Sequence, residues 1–345
     1  MSPPADRSGV PVGSIITEAR ALRTDELPRA IIRRHDEMNA LASALDPAVD
    51  GLRPEPTIIH GPSGAGKTAV ARRGIEKLKS EVLNVSSAYV EGWARSSAAV
   101  LRRVVDTVSR APVHGTEGRQ RLRDRLRDHD DHIIVILDEV DQLAEFGVLH
   151  DLYECSTTTI VGTATRLEPL IARVDSRIQS RVRSAVHIRF SSYSDADLTA
   201  ILEDRADWGL ASTAIDRQTL RYIATEADGD ARRAISILRC SAREADRRGL
   251  ATISRACVDA VLTDAERAVR KSSLAKLSTE HRRLYECLSG AGEVPVDEVY
   301  ERYRERAAAD RSDRYIRGLR QKLVDYGLLE ALGPKADRRY VAVEP

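Results

Sequence analysis

Eight consecutive residues carry the first chemistry that the sequence supports. Gly61-Pro62-Ser63-Gly64-Ala65-Gly66-Lys67-Thr68 fits the spacing GxxxxGK[ST]. The glycines let a loop curl so that backbone N–H groups point at phosphate oxygens, and a helix starting there, with Ala69 in its first turn, adds its positive end. Lys67 would reach the β- and γ-phosphates of ATP, and Thr68 would ligate Mg²⁺. Further along, the apolar run Ile133–Leu137 ends on Asp138-Glu139. An Asp at such a strand end, beside a phosphate loop, holds Mg²⁺ through water, and the adjoining Glu can polarise the attacking water. Loop and acidic pair together point to ATP hydrolysis rather than binding alone.

These groups need a scaffold. Thr57–His60 reads as a short strand leading into the loop, and Ala69–Ser80 as the helix leaving it. Ile133–Leu137 is the continuous apolar run of a parallel strand buried on both faces. Val82–Val85, Thr157–Gly162 and Ala185–Phe190 are the other strand candidates. Helices are expected at Arg33–Leu45, at Ser96–Arg110, with Val100, Val104, Val105 and Val108 on one face, and at Gln120–Asp128, a solvated, ion-paired helix. Alternating strands and helices define an α/β class with a mainly parallel sheet. After Ser194 the pattern is helical to about residue 265, in three or four segments. The end of the chain reads as helices to Leu288, over Val296–Arg306 and over Asp313–Tyr326, then strands Leu328–Ala331 and Tyr340–Val343 around GPKADRR. That order is the winged variant of helix-turn-helix. The expected division is a flexible tail at 1–25, a nucleotide-binding base at 26–193, a helical domain at 194–270 and a winged-helix domain at 271–345.

Composition narrows the partners. The 345 residues are 42% hydrophobic, which excludes wholesale disorder, and carry a net charge of +1. No apolar run approaches a membrane span, and the opening MSPPADRSGV lacks a signal pattern, so a cytoplasmic protein without a membrane partner is expected. Cys155, Cys240, Cys257 and Cys287 form no CxxC pair, which argues against zinc and disulfides. Only seven of the 54 basic residues are Lys. That bias is mainly compositional, but a guanidinium fork also suits phosphate. No His forms a catalytic pair, and His60 reads as a packed strand end.

The third C-terminal helix is the candidate reader of duplex DNA. At about 100° per residue, Ile316, Leu319, Leu323 and Tyr326 fall within about 80° of one another and face a core. Arg314, Arg317 and Gln321 then project away from it. Residues 311–339 hold eight basic and four acidic side chains, an excess of +4. Lys335, Arg338 and Arg339 lie in the wing, suited to phosphate or the minor groove.

Taken together, HGPSGAGKTAVAR, IIVILDEVDQL, VDSRIQSRV, FSSYSDADLTAILEDR, GDARRAISILR and YIRGLRQKLVDYGLLE resemble, in order, the archaeal origin-recognition/cell-division-control family of replication initiators. These are AAA+ ATPases with a P-loop α/β core, a helical lid and a C-terminal winged helix. The resemblance implies ATP/ADP and Mg²⁺ as ligands. It implies origin duplex DNA, a replicative helicase and other initiator subunits as partners. It places Arg232 as the lid arginine that senses the γ-phosphate, and Arg181, or secondarily Arg177, as a finger acting on a neighbour's ATP. Ile31, Ile32 and Arg34 fall near the adenine. Tyr193 and Arg205, in FSSYSDADLTAILEDR, join the nucleotide contacts. Thr165 stands where the family's sensor strand usually ends in Asn, which implies slow, regulatory hydrolysis. The segment from Val85 to Arg110 matches the position of an additional DNA-contacting element, with Tyr89, Trp93, Arg95, Arg102 and Arg103 as candidates. Two other classes stay open: an ATP-gated DNA-binding regulator of transcription or plasmid maintenance, and a clamp-loader or helicase-type motor.

Overall fold

Five strands form the first sheet of the computed structural model: β1 (Thr57–His60), β2 (Val85–Glu91), β3 (His132–Asp138), β4 (Thr158–Ala164) and β5 (Val186–Arg189). The structure describes residues 14–92, 96–109, 111–114, 117–143, 145–307, 312–334 and 337–344. All pairings in this sheet are parallel, in the order β2-β3-β4-β1-β5. The pleat sends alternate residues of β3 to opposite faces. Ile133, Val135 and Leu137 join one apolar cluster, and Ile134 and Ile136 the other. These strands are accompanied by helices α1 (His35–Leu45), α2 (Lys67–Glu81), α3 (Ser97–Val108), α4 (Arg119–Arg127), α5 (Gly147–Glu154), α6 (Leu167–Arg173) and α7 (Ser176–Ser184). Val100, Val104 and Leu122 of α3 and α4 cover the first cluster; Leu41, Val70 and Ile75 of α1 and α2 cover the second.

The strand order has a functional consequence. Between β1, which feeds the phosphate loop, and β3, which ends on Asp138, lies β4. The carboxyl end of β4 therefore supplies whatever side chain stands between loop and acid. The predicted second strand begins later than expected, at Val85 instead of Val82, because Leu83 is fully exposed in the connection.

The elements that follow among the described residues are α8 (Asp195–Gly209), α9 (Arg217–Glu226), α10 (Ala231–Arg247), α11 (Arg255–Asp259), α12 (Leu262–Lys276), α13 (Thr279–Leu288), β6 (Val294–Pro295), α14 (Val296–Arg306), α15 (Asp313–Asp325), β7 (Leu329–Leu332) and β8 (Arg339–Ala342). β6, β8 and β7 pair antiparallel in that order, so a short strand from before α14 joins the expected hairpin. Ile316, Leu319 and Leu323 of α15 are buried with Leu284 and Leu288 of α13 and Tyr303 of α14.

The chain divides into one compact unit of Leu27–Ile201 with Gly229–Ala231, and a second of Met1–Glu26, Leu202–Asp228 and Arg232–Pro345 in their described residues. The expected loose tail is corrected over its described part. Ile15, Ala21 and Leu22 are buried, and Arg205 donates from both Nη atoms to the carbonyls of Ala21 and Glu26, each at 2.9 Å. A Pro- and Gly-rich composition hid this because the anchor lies in α8, far off in sequence. Residues 1–13 lie outside the described residues. Among the described residues, no helix is long and apolar enough to cross a membrane.

Candidate nucleotide site and basic helix face

The phosphate loop is built by close backbone approaches. Gly64 has φ +72° and its Cα faces the Asp230 carboxylate; Gly66 has φ +90° and faces the Tyr193 hydroxyl. A Cβ at either position would overlap those oxygens, and the left-handed backbone would add strain, so glycine is required. The loop is also tied to the segment that opens α10, since Ala231 N donates to Gly64 O at 3.2 Å. Tyr193 N donates to Gly229 O at 3.2 Å. Tyr193 thus stands beside the loop as expected, with its ring under the Arg34 guanidinium at 4.0 Å and its phenol pushed up by burial. Arg34 is itself buried, donating to Ser191 O at 2.6 Å and pairing with Glu37 at 2.7 Å. Ile31 packs on the α1–α2 cluster, while Ile32 is half-buried. Lys67 Nζ donates to the carbonyls of Gly61 and Pro62 at 2.7 and 2.6 Å.

Asp138 is the hub. Its Oδ1 accepts from Thr68 Oγ1 at 2.7 Å and from Thr163 Oγ1 at 2.6 Å, and its Oδ2 accepts from the Tyr89 hydroxyl at 2.7 Å. Thr163 sits on β4, the intervening strand, and is fully buried. Its oxygen also accepts from the Glu139 N–H at 2.9 Å. Glu139 holds φ +55°, an αL conformation that costs a non-glycine residue about 1–3 kcal/mol. The Thr163 bond, together with Gln142 N donating to Glu139 O at 2.8 Å, fixes the backbone there. The Tyr89 phenol is driven strongly up by burial and by the adjacent Asp138 charge, so it remains a donor. Thr68 and Asp138 offer the hard oxygen atoms Mg²⁺ prefers, and their direct contact puts them at one point. Mg²⁺ held by Thr68 and Asp138 would neutralise charge on the phosphates.

Three sequence expectations are redirected. Thr165 follows β4 directly, yet among the described residues its hydroxyl makes no hydrogen bond; the threonine touching both acids is Thr163, two residues earlier. Sequence reading missed Thr163 because it took only the strand end as functional. Tyr89, offered as a DNA contact, turns its hydroxyl onto Asp138 instead; Trp93 and Arg95 lie outside the described residues. Arg205, expected among the nucleotide contacts, spends both of its Nη atoms on the backbone carbonyls of Ala21 and Glu26, and burial lowers its pKa.

Arg181 lies on α7, exposed, with its guanidinium 5.6 Å from the Tyr153 ring centroid. It lines a cleft of about 480 Å³ with Arg177, His150 and Glu154. Arg173 donates to the carbonyls of Asp141 and Leu143, so it is committed to holding the segment after β3. Arg232 occupies the first turn of α10 and lies 5.6 Å from the Tyr326 ring centroid.

On α15, Arg314, Arg317 and Gln321 are exposed on the side opposite the buried Ile316, Leu319 and Leu323, as the helical arithmetic predicts. Tyr300 and Asp313 stand beside Arg317, and a hydrogen bond to the Tyr300 phenol raises its pKa. The charge excess needs correction: Arg320 and Lys322 are buried, Arg320 lying 4.4 Å over the Tyr340 ring and Lys322 4.4 Å over that of Tyr326. Two of the eight basic side chains therefore brace the hydrophobic core. Arg339 is exposed near Glu293 at 3.7 Å, Arg338 is half-buried, and Lys335 lies outside the described residues.

Sheet order, phosphate loop and strand-end acids define a AAA+ nucleotide-binding protein. A family profile described as an AAA domain matches residues 53–169, and one described as a Cdc6 AAA+ ATPase-type lid domain matches residues 199–261. The chain is 35% identical to ORC1-type DNA replication protein 9 of Halobacterium salinarum, over 96% of this chain and 94% of that one. It is 34% identical to ORC1-type DNA replication protein 1 of the same organism, over 88% and 100%. Among solved structures it is similar to the Aeropyrum pernix ORC1 protein in complex with DNA, with a TM-score of 0.70, 25% identity and coverage of 96% and 94%. The chain belongs to the archaeal ORC1/Cdc6 family.

Proposed function

We infer that this protein is an ATP-dependent initiator of DNA replication that binds origin duplex DNA and changes conformation with its ATP or ADP state. In this reading residues 26–193 bind and hydrolyse ATP, 194–270 form a lid, and 271–345 are a winged helix. The observation that carries it is the coexistence of the Thr68–Asp138–Thr163 cluster with an α15 face presenting Arg314, Arg317 and Gln321 to solvent. Lys67 neutralises the β/γ-phosphates, Thr68 and Asp138 hold Mg²⁺, and Glu139 orients the attacking water. Arg232 pairs with the γ-phosphate and moves the lid on its loss, while Arg181 serves ATP on a neighbouring subunit. The relatives' names and the solved DNA complex of a relative support DNA as the partner. A replicative helicase and other initiator subunits are the protein partners of this reading, and the cytoplasmic nucleoid is its place. Chromatin immunoprecipitation tests it: peaks at replication start sites are expected, and peaks confined to promoters sink it.

The isolation of Thr165 favours a second reading, an ATP-gated regulator with slow, incidental hydrolysis. A hydroxyl there reaches less far than an Asn amide. Thr165→Asn should speed single-turnover hydrolysis; an unchanged rate removes that support.

A further inference from the structure

Beyond Arg232, helix α10 carries arginines that the nucleotide chemistry does not use. Arg232, Ser236, Arg239 and Arg243 are spaced by four, three and four residues. At about 100° per residue they share an arc of about 60°. Their face lines a cleft of about 390 Å³, walled on the other side by Ser272 and Ser273 of α12 and closed by Arg23–Asp25. Four guanidiniums meet one carboxylate there, and that carboxylate, Asp25, is already paired with Arg23 at 2.6 Å.

Other arginines of this region have acidic partners. Arg233 pairs with Glu266 at 2.6 Å, and Arg247 and Arg248 share Glu244 at 2.7 and 2.6 Å. Among the described residues, Arg239 and Arg243 have none, and Arg239 Nε is buried without a hydrogen-bond acceptor. A buried donor left without an acceptor, and like charges four apart on one helix face, both destabilise the protein. A multivalent oxyanion in the cleft relieves both.

We propose that this cleft is a second anion site, which takes the polyphosphate group of a small ligand. Guanidinium forks match phosphate oxygens bidentately, and the hydroxyls of Ser272 and Thr24 add neutral donors. The cleft's size falls in the range of ligand pockets and exceeds one phosphate ion, so a diphosphate or triphosphate chain fits better. No residue of the phosphate loop lines it, and Arg232 is the one lining residue to which the proposed function gives a nucleotide role.

The test is calorimetric titration of inorganic tripolyphosphate into the full chain loaded with one equivalent of ADP and Mg²⁺ at physiological ionic strength. One further binding event is expected, weakened at least tenfold by Arg239→Ala/Arg243→Ala. The first equivalent of ADP should bind that variant normally, which also reports that it is folded. ADP stoichiometry separates two sources of the ligand. A second equivalent of ADP, lost in the variant, identifies a nucleoside polyphosphate; a single equivalent identifies free polyphosphate. The proposal is overturned if tripolyphosphate does not bind the protein loaded with one equivalent of ADP. It is equally overturned if binding survives the double substitution, which would mark diffuse attraction to an arginine-rich surface. Loss of duplex DNA affinity with unchanged tripolyphosphate binding would assign the arginines to DNA and overturn it as well.

Discussion

The Tyr89 hydroxyl donates to Asp138 Oδ2 at 2.7 Å, so a residue of β2 holds the oxygen of the strand-end aspartate that Thr68 and Thr163 leave free. The carboxylate is thus pinned from three sides. Partners that orient a metal-side carboxylate typically affect metal affinity by about 10–100-fold. Tyr89→Phe keeps the ring and removes only the donor. It should raise the Mg²⁺ concentration for half-maximal ATP hydrolysis by about tenfold. ATP affinity measured without Mg²⁺ should stay the same. A Mg²⁺ dependence indistinguishable from that of the parent protein would show that the bond serves only to anchor β2.

Thr163 makes two bonds with one oxygen, and both are lost in Thr163→Val. The substitution nearly preserves shape but leaves the Glu139 N–H without its acceptor. Such a loss costs about 1–3 kcal/mol in stability. It also releases a backbone held at φ +55°, so Glu139 should swing from its position. Single-turnover hydrolysis should fall at least as steeply as stability, and Thr163→Ser should restore both. Denaturant unfolding alongside rapid-quench kinetics separates the cases: a rate loss that Ser does not rescue would make Thr163 a packing residue only.

The first sheet was legible because its signals are local. A continuous apolar run, a β-rich tetrapeptide before glycines and an acidic pair each declare a strand end without knowledge of its neighbours. What the sequence did not reveal depends on strand order. Thr163 matters because β4 lies between β1 and β3, and nothing in TTTIVGTATRL tells that residue from its neighbours. Tyr89 was read as a candidate DNA contact from its position alone, and its partner Asp138 lies on the neighbouring strand β3. Arg205 was placed among the nucleotide contacts by family resemblance, whereas its acceptors are two carbonyls of a segment expected to be loose. On α15 the helical period placed Ile316, Leu319, Leu323 and Tyr326 correctly. It could not foresee that Arg320 and Lys322 fold over the Tyr340 and Tyr326 rings.

His132 gives a pH dependence with a definite sign. At the start of β3 it is half-buried, its Nε2 is 2.9 Å from Thr159 Oγ1, and burial, helped by Arg53, lowers its pKa to about 4. The unfolded imidazole titrates near about 6.5, so between these values the unfolded chain binds the extra proton. The contribution of His132 is therefore present above about pH 6.5 and is lost as pH falls toward 4. His132→Gln should flatten that part of the Tm–pH curve. If the two curves stay parallel from pH 7 to about 4, His132 is not the group that titrates.

The two classes of arginine on α15 make opposite predictions. Arg314 and Arg317 are exposed, so replacing both with Ala should leave Tm nearly unchanged and weaken duplex binding. Each arginine–phosphate pairing removed lowers the slope of log K against log salt by about one unit, so a drop of about one to two units is expected. Arg320 is buried over Tyr340, and Arg320→Ala removes packing as well as charge. It should lower stability by about 1–3 kcal/mol and affect DNA only through folding. Anisotropy titrations at several salt concentrations, paired with thermal melts, decide the matter. A salt slope that falls in Arg320→Ala but not in the double variant would place the DNA-facing side of α15 opposite to where its exposure puts it.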